Sequence, residues 1–450
     1  MNTPLFHSAK AVFFPAIMVS QKDYAVAQYG FYRSLDLSST DDCGDGFGRV
    51  CYERVLIRLT ARNLYRLYIN GETVMHGPAR TAHGYCRVDE LDITELLIDG
   101  INHIAVEVVA YNRAWGGYNQ YSNDSTLEDG LFIAEIEGDG DILTATGDDG
   151  WQVCEITARA RRGDRISHCR GCEEIYFLND DYYLWKLGYG EFVPVEALPS
   201  HDSPTYLRHD ALTPTLAESV LTDLVEFGTA RIDREKQLSP FFYEVNSPVY
   251  NTLTEHPLAD CRRTVESDTG LVRVERLEDG CHFSPVDTED YFGLWDGKES
   301  RVGFIRLSVT CEKAGIIDLI HSELLKTNGR IPYHFNIVTR LHVSAGLNEI
   351  TTIEPSLSRY MQIVFRGVGE ATVHNLSVLD YAYPDEHRAA FLCSDDNVNR
   401  LYAAAKKTLL LNTLDIFMDC PDRERGGWLC DSLWTGRAAS LMLGDNRVER

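Results

Sequence analysis

From about Tyr24 to Pro384, apolar residues come in short alternating or β-branched runs separated by turn residues. Val55–Leu59 and Leu64–Ile69 are two such runs, and Asn70-Gly71 follows the second at once. That dipeptide predicts a tight hairpin, because both central turn residues need positive φ. Asp99-Gly100 likewise precedes a strand expected over Ile101–Ala110. Many short strands with such punctuation predict antiparallel β-sandwiches rather than βαβ units. A second strand-rich stretch follows, with runs at Val302–Val309, Gly315–His321, Arg340–Val343, Glu349–Ile353, Met361–Phe365 and Ala371–Val378. Between the two, the proline-bearing segment Pro194–Pro240 reads as a connection, with a short helix compatible with Val220–Phe227.

The period changes after Asp385. Ser394 is the expected N-cap of a helix whose Val398, Leu401, Tyr402, Ala405 and Leu409 recur at helical spacing, with Asp395 and Asp396 favouring its N-terminal dipole. A second helix is expected from near Trp428 through Trp434, Ala438 and Leu441, closed by Gly444. The expected organisation is a sandwich over 1–200, a connection over 201–240, a second sandwich over 241–384 and the start of an all-α domain over 385–450. Two helices cannot bury their own apolar faces. The expectation is therefore that the all-α domain is incomplete and the chain a fragment.

With 44% hydrophobic residues in 450, the chain can build several cores, so two to four domains are expected. Acidic residues exceed basic ones by enough to give a formal charge of -25. That charge repels phosphates and anionic lipid headgroups, which argues against nucleic acid or a membrane surface as a partner. No run of 18 apolar residues is present to span a bilayer. The N-terminal apolar patch Ala11–Phe14 lacks a basic start and is interrupted by Pro15, so no signal peptide is expected. The twelve cysteines show no framework spacing. Cys169 and Cys172, with His168, have the spacing of half a zinc site, but no second pair matches it. Reduced cysteines in a cytoplasmic protein, with no metal and no cofactor, are the expectation.

Candidate chemistry concentrates between the two helices. Asp419, Asp422, Glu424 and Asp431 lie within thirteen positions, interleaved with Arg423, Arg425 and Trp428, and Pro421 and Gly426-Gly427 shape the segment into a loop. Cleaving a glycosidic bond needs a protonated carboxyl at the leaving oxygen and a second carboxylate that activates water or attacks carbon. Clustered negative charge raises a carboxyl's pKa toward neutrality, and an indole offers an apolar wall for a sugar ring. The same residues would equally make a capping loop, with both arginines pairing the acids and Trp428 in the core.

The run Asp419-Cys420-Pro421, then Glu424, Trp428 and Asp431, resembles in order and spacing the entry to the catalytic domain of bacterial α-L-rhamnosidases, glycoside hydrolase family 78. Two upstream segments resemble the galactose-binding-like β-sandwich that precedes such domains: Tyr65–Glu72 and Gly77–Arg80. His321–Leu324 and Arg359–Gln362 resemble the second sandwich beside the helical barrel. The resemblance implies an (α/α)6 barrel and an inverting reaction. It implies Glu424 as general acid, Asp419 and Asp431 binding rhamnose hydroxyls, Arg423 orienting the acids and Trp428 walling the pocket. It places the general base on a late Glu of the barrel beyond Arg450, so this chain alone is expected to be inactive. Cys430, where many members have Gly, and the small Gly426-Gly427 pair depart from the pattern and bear on the sugar pocket. The implied partner is a carbohydrate substrate, and a homo-oligomer is compatible with the sequence.

Two other readings stand beside it. The sandwiches could bind sugar without catalysis, or a related barrel hydrolase could act on another sugar. The aromatic, glycine-rich loop Asn112–Asn119 could stack on a sugar, but packing of Trp115 on the sheet explains it as well. Arg80 and His83 read as structural, and His282 and His334 stand alone without metal-ligand spacing.

Overall fold

The computed structural model describes residues 5–13, 26–38, 52–82, 84–111, 130–161, 166, 170, 173–179, 182–198, 204–230, 269–278, 280–286, 288, 290–327, 329, 331, 337–384, 389–444 and 447–449. The Cys169/Cys172 pair with His168, the Asn112–Asn119 loop, His83, His334 and the patch beyond Phe13 lie outside the described residues. The chain forms two compact units. One comprises Met1–Arg161 with Asp180–Asp210, the other Arg162–Asn179 with Ala211–Arg450.

The first unit is a β-sandwich. Its strands include β1 (Val26–Asp36), β2 (Val55–Arg62), β3 (Leu64–Ile69), β4 (Glu72–Gly77), β5 (Tyr85–Asp92), β6 (Ile101–Tyr111) and β7 (Leu131–Gly138). A six-stranded sheet runs Val193–Pro194, Gln152–Glu155, β1, β6, β3, β4, and a seven-stranded sheet is centred on β7, β2 and β5. The expected hairpin joins β3 to β4, with Asn70 and Gly71 both at positive φ (52° and 88°). Inward residues of both sheets share one core. Phe31 of the first sheet meets Phe132 of the second at 4.6 Å, and Ile57, Leu67, Val106 and Trp151 pack around them. Burying each such side chain contributes roughly 1.5–3 kcal/mol.

The second unit is built on an eleven-stranded sheet. Its strands include β8 (Glu218–Val220), β9 (Leu224–Thr229), β10 (Asp290–Cys311), β11 (Gly315–Ser322), β12 (Ile337–Val343), β13 (Gly346–Thr351), β14 (Ser356–Arg366) and β15 (Ala371–Asp380). β10 is the spine. Its first part pairs with β14, the register shifts between Asp296 and Arg301, and its last part pairs with β15 and β13. Tyr291 and Phe365, facing across β10 and β14, stack at 4.7 Å beside Phe283 and Trp295. The short helix expected within Val220–Phe227 is not formed. β8 pairs with β15 and β9 with β10, so cross-strand pairing overrides the local pattern.

Two helices follow the sheet, α1 (Asp396–Leu411) and α2 (Leu429–Met442). The N-cap of α1 is Asp395 rather than Ser394, because the Asp395 side chain accepts the Asn397 N–H at 2.8 Å. Gly444, at φ 63°, follows the end of α2 as expected. No helix among the described residues is long and apolar enough to cross a membrane.

Candidate active site

The segment joining α1 to α2 is anchored before it becomes a loop. Leu414 and Met418 enter an apolar cluster with Phe304, Leu379 and Tyr381 of the sheet unit, while Phe417 packs with Tyr383, Leu409, Ala439 and Leu443. Backbone bonds fix the crossing: Tyr383 N–H donates to the Thr413 carbonyl at 3.1 Å and Met418 N–H to that of Asn412 at 2.8 Å. Ser432 Oγ donates to the Phe417 carbonyl at 3.1 Å, tying the first turn of α2 to the same base.

On that base, residues 419–426 close into a ring. Asp419 N–H donates to the Gly426 carbonyl at 2.9 Å, and Gly426 N–H donates back to Asp419 Oδ1 at 2.8 Å. Arg425 turns the chain with a left-handed φ of 56°, a conformation that costs a non-glycine residue on the order of 1 kcal/mol. Its buried guanidinium donates to the Pro421 carbonyl at 2.9 Å and holds the turn. Glu424 N–H donates to Cys420 Sγ at 3.3 Å, and burial pushes that thiol's pKa up.

The ring presents Glu424. One carboxylate oxygen accepts from Arg423 Nη2 at 2.6 Å, and the other from Trp428 Nε1 at 2.8 Å. Both bonds are held inside one turn of chain, so the carboxyl group is oriented from two sides. Gly426 makes room for this: a Cβ there would meet Trp428 Nε1 at 2.9 Å. A Cβ on Gly427 would meet Ile416 Cδ1 at 3.1 Å, so the small pair lets the indole lie against the loop.

The structure thus brings Arg423, Glu424 and Trp428 into direct contact and makes Asp419 the clasp of their loop. Asp431 stands exposed in the first turn of α2, beside exposed Cys430. Trp428 is half-buried rather than a core residue, and Arg425 braces the Pro421 carbonyl.

Sequence reasoning gave Asp422 no role. Its carboxyl is pushed up to about 6 by burial and by Glu323, against the opposing pull of Arg170, the Leu357 N–H and Arg425. Arg170 and the Leu357 backbone also act on His321, whose burial and the Arg170 charge bring it down to about 4, against the Leu357 carbonyl. The adjacency of Asp422 to Glu424 was available in the sequence, whereas nothing local pointed to Arg170. His282 is paired within the sheet, its Nδ1 at 2.9 Å from Thr372 Oγ1. Among the described residues, no group of three or more His, Cys, Asp or Glu side chains is arranged to hold a metal ion.

Residues 386–449 match the bacterial α-L-rhamnosidase six-hairpin glycosidase domain. An α-L-rhamnosidase of Formosa agariphila is 28% identical over 160 residues, 31% of this chain and 16% of that protein. The fold is similar to the crystal structure of a glycoside hydrolase family 78 rhamnosidase of Bacillus sp. GL1, with a TM-score of 0.73 at 16% identity, covering 98% of this chain and 62% of that one. The α-L-rhamnosidase of Streptomyces avermitilis, solved in complex with L-rhamnose, gives a TM-score of 0.56 at 16% identity, covering 94% of this chain and 35% of that one. The chain spans less than two thirds of the length of these relatives. In fold along nearly all of its length, and in sequence over residues 386–449, it is α-L-rhamnosidase-like.

Proposed function

We propose that this chain carries the general-acid side of an inverting α-L-rhamnosidase site, with Glu424 as the acid. Glu424 delivers its proton to the leaving glycosidic oxygen. Arg423 and the Trp428 N–H orient its carboxyl group, Trp428 offers an apolar wall to the sugar, and Asp419 and Asp431 accept sugar hydroxyls. Inversion requires a second carboxyl group roughly 6.5–9.5 Å away to activate water from the opposite face. We assign that role to no residue of this chain, since the family resemblance puts it beyond Arg450. The observation that carries the reading is the two-sided grip on Glu424, within the segment that matches the glycosidase domain.

The test compares this chain, and a version continued past Arg450, on aryl and alkyl α-L-rhamnosides beside a panel of other glycosides. In the longer protein, Glu424→Gln should lower turnover of poorly activated rhamnosides about 10²–10⁴-fold, the usual contribution of general acid catalysis, with rhamnose binding retained. Unchanged turnover would remove Glu424 from the role. Binding of oligosaccharide with no cleavage would favour a carbohydrate-binding protein, and cleavage of another glycoside alone would replace rhamnose as the sugar.

A further inference from the structure

We propose that Arg170 is a positioning residue for the Glu424 loop, its guanidinium pinning the Asp422 backbone to Pro355 and Ser356 at the start of β14. Arg170 lies 252 positions before Asp422 and is only 2% exposed. Its Nη1 donates to the Asp422 carbonyl at 2.5 Å, and its Nη2 donates to the Pro355 carbonyl at 2.8 Å and to Ser356 Oγ at 3.4 Å. Two carboxylates flank the buried charge, Asp422 Oδ1 at 3.6 Å and Glu354 Oε2 at 3.8 Å.

The receiving segment before β14 is itself held by the residues that follow Arg170. Glu174 accepts the N–H groups of Ile353 and Glu354 at 3.0 and 2.8 Å, and Tyr176 donates its hydroxyl to Glu174. Strand Ile175–Phe177 is locked in parallel register on β12, opposite Arg340, Leu341 and His342. Arg170 lies five residues before that strand, and its guanidinium reaches the loop.

The atom it grips matters. The Asp422 carbonyl belongs to the peptide that leads into Arg423 and Glu424, so rotating that peptide would swing the Arg423–Glu424 pair away from Trp428. A planar guanidinium can donate to two carbonyls at once along fixed directions, which the single ammonium of lysine cannot reproduce. Small displacements of a proton donor from its in-line position lower the rate steeply. The loop's internal bonds shape it, and Arg170 fixes where that shape points.

This inference rests on the reading of Glu424 as the acid, and its test separates the two. Wild type, Arg170→Ala and Arg170→Lys are assayed in the version continued past Arg450, with an alkyl α-L-rhamnoside and with the dinitrophenyl α-L-rhamnoside. A poor leaving group needs its proton, whereas a dinitrophenolate does not. Arg170→Ala should therefore lower kcat about a hundredfold on the alkyl substrate and no more than about threefold on the aryl one, with KM little changed and lysine intermediate. Equal losses on both substrates would mean that Arg170 only supports the fold, and would overturn the proposal. If the alanine variant does not fold, the lysine variant is judged by the same ratio. Amide hydrogen exchange is read without substrate: residues 419–428 should exchange faster in the variants while β14 does not change. Unchanged exchange at 419–428 would overturn the positioning role even if wild type cleaved no rhamnoside, a result that by itself would sink only the functional reading.

Discussion

Asp422 and His321 share the ground on which the Glu424 loop rests, and burial moves them in opposite directions, to about 6 and about 4. Between pH about 4 and about 6, folded Asp422 keeps a proton that the unfolded chain has lost, so its contribution to stability falls as pH rises. Folded His321 lacks a proton that the unfolded chain holds between about 4 and about 6.5, so its contribution rises with pH. The slopes oppose across the shared window, each at most about 1.4 kcal/mol per pH unit. Relative to wild type, Asp422→Asn should therefore gain stability from pH 4 to 6, and His321→Gln should lose it. Urea midpoints at both pH values check this, and curves parallel to wild type would contradict it. The character of these two groups was illegible in the sequence for the reason that Glu424 was legible. Asp419, Arg423, Glu424 and Trp428 lie within ten consecutive residues, whereas Asp422 acquires its character from burial and from Arg170, Glu323 and the Leu357 N–H, which are distant in the chain. Arg170 also sat inside a CxxC spacing that drew attention to its neighbours.

The helices show how far a hydrophobic period can be read. It placed α1 and α2 within a residue or two, yet it could not say which apolar positions are covered. Leu401, Leu429, Trp434 and Leu441 are 68%, 89%, 63% and 81% exposed, while Leu409 and Ala439, on the same helices, are buried against Tyr383 and Phe417. In this chain, Leu441→Gln should change the urea midpoint by less than about 0.5 kcal/mol equivalent and reduce binding of an apolar dye. Leu414→Ala, inside the cluster under the loop, should cost about 2–5 kcal/mol. A comparable cost for both would show that the exposed face is packed after all. Strands fared differently. Asn70-Gly71 announced its hairpin because positive φ is a local demand, but β8 and β9 owe their form to partners more than 60 residues away, and no local signal separates them from a short helix.

At the scale of the molecule, each unit has its own core, so unfolding should proceed in two transitions. Ile57→Ala, fully buried in the first unit, should lower one of them by about 2–4 kcal/mol, and Ile363→Ala, fully buried in the second, should lower the other. Calorimetry on the two variants checks this; a single transition lowered by both would refute it. The succession of two β-rich regions and a helical end was legible from turns and period. The membership of the units was not, since residues 162–179 leave the first unit for the second and the chain then returns, at 180–210, to complete the first.

That excursion has a consequence for synthesis and for dissection. A ribosome delivers strand Ile175–Phe177 about 160 residues before the β12 strand it joins, so Arg170 and Glu174 precede their partners at 353–356 and 422 while the first unit is finished. Cutting the gene at the apparent domain border near residue 200 would accordingly yield a C-terminal half stripped of the brace for its own acid loop, and a sandwich half burdened with a strand that has nothing to join.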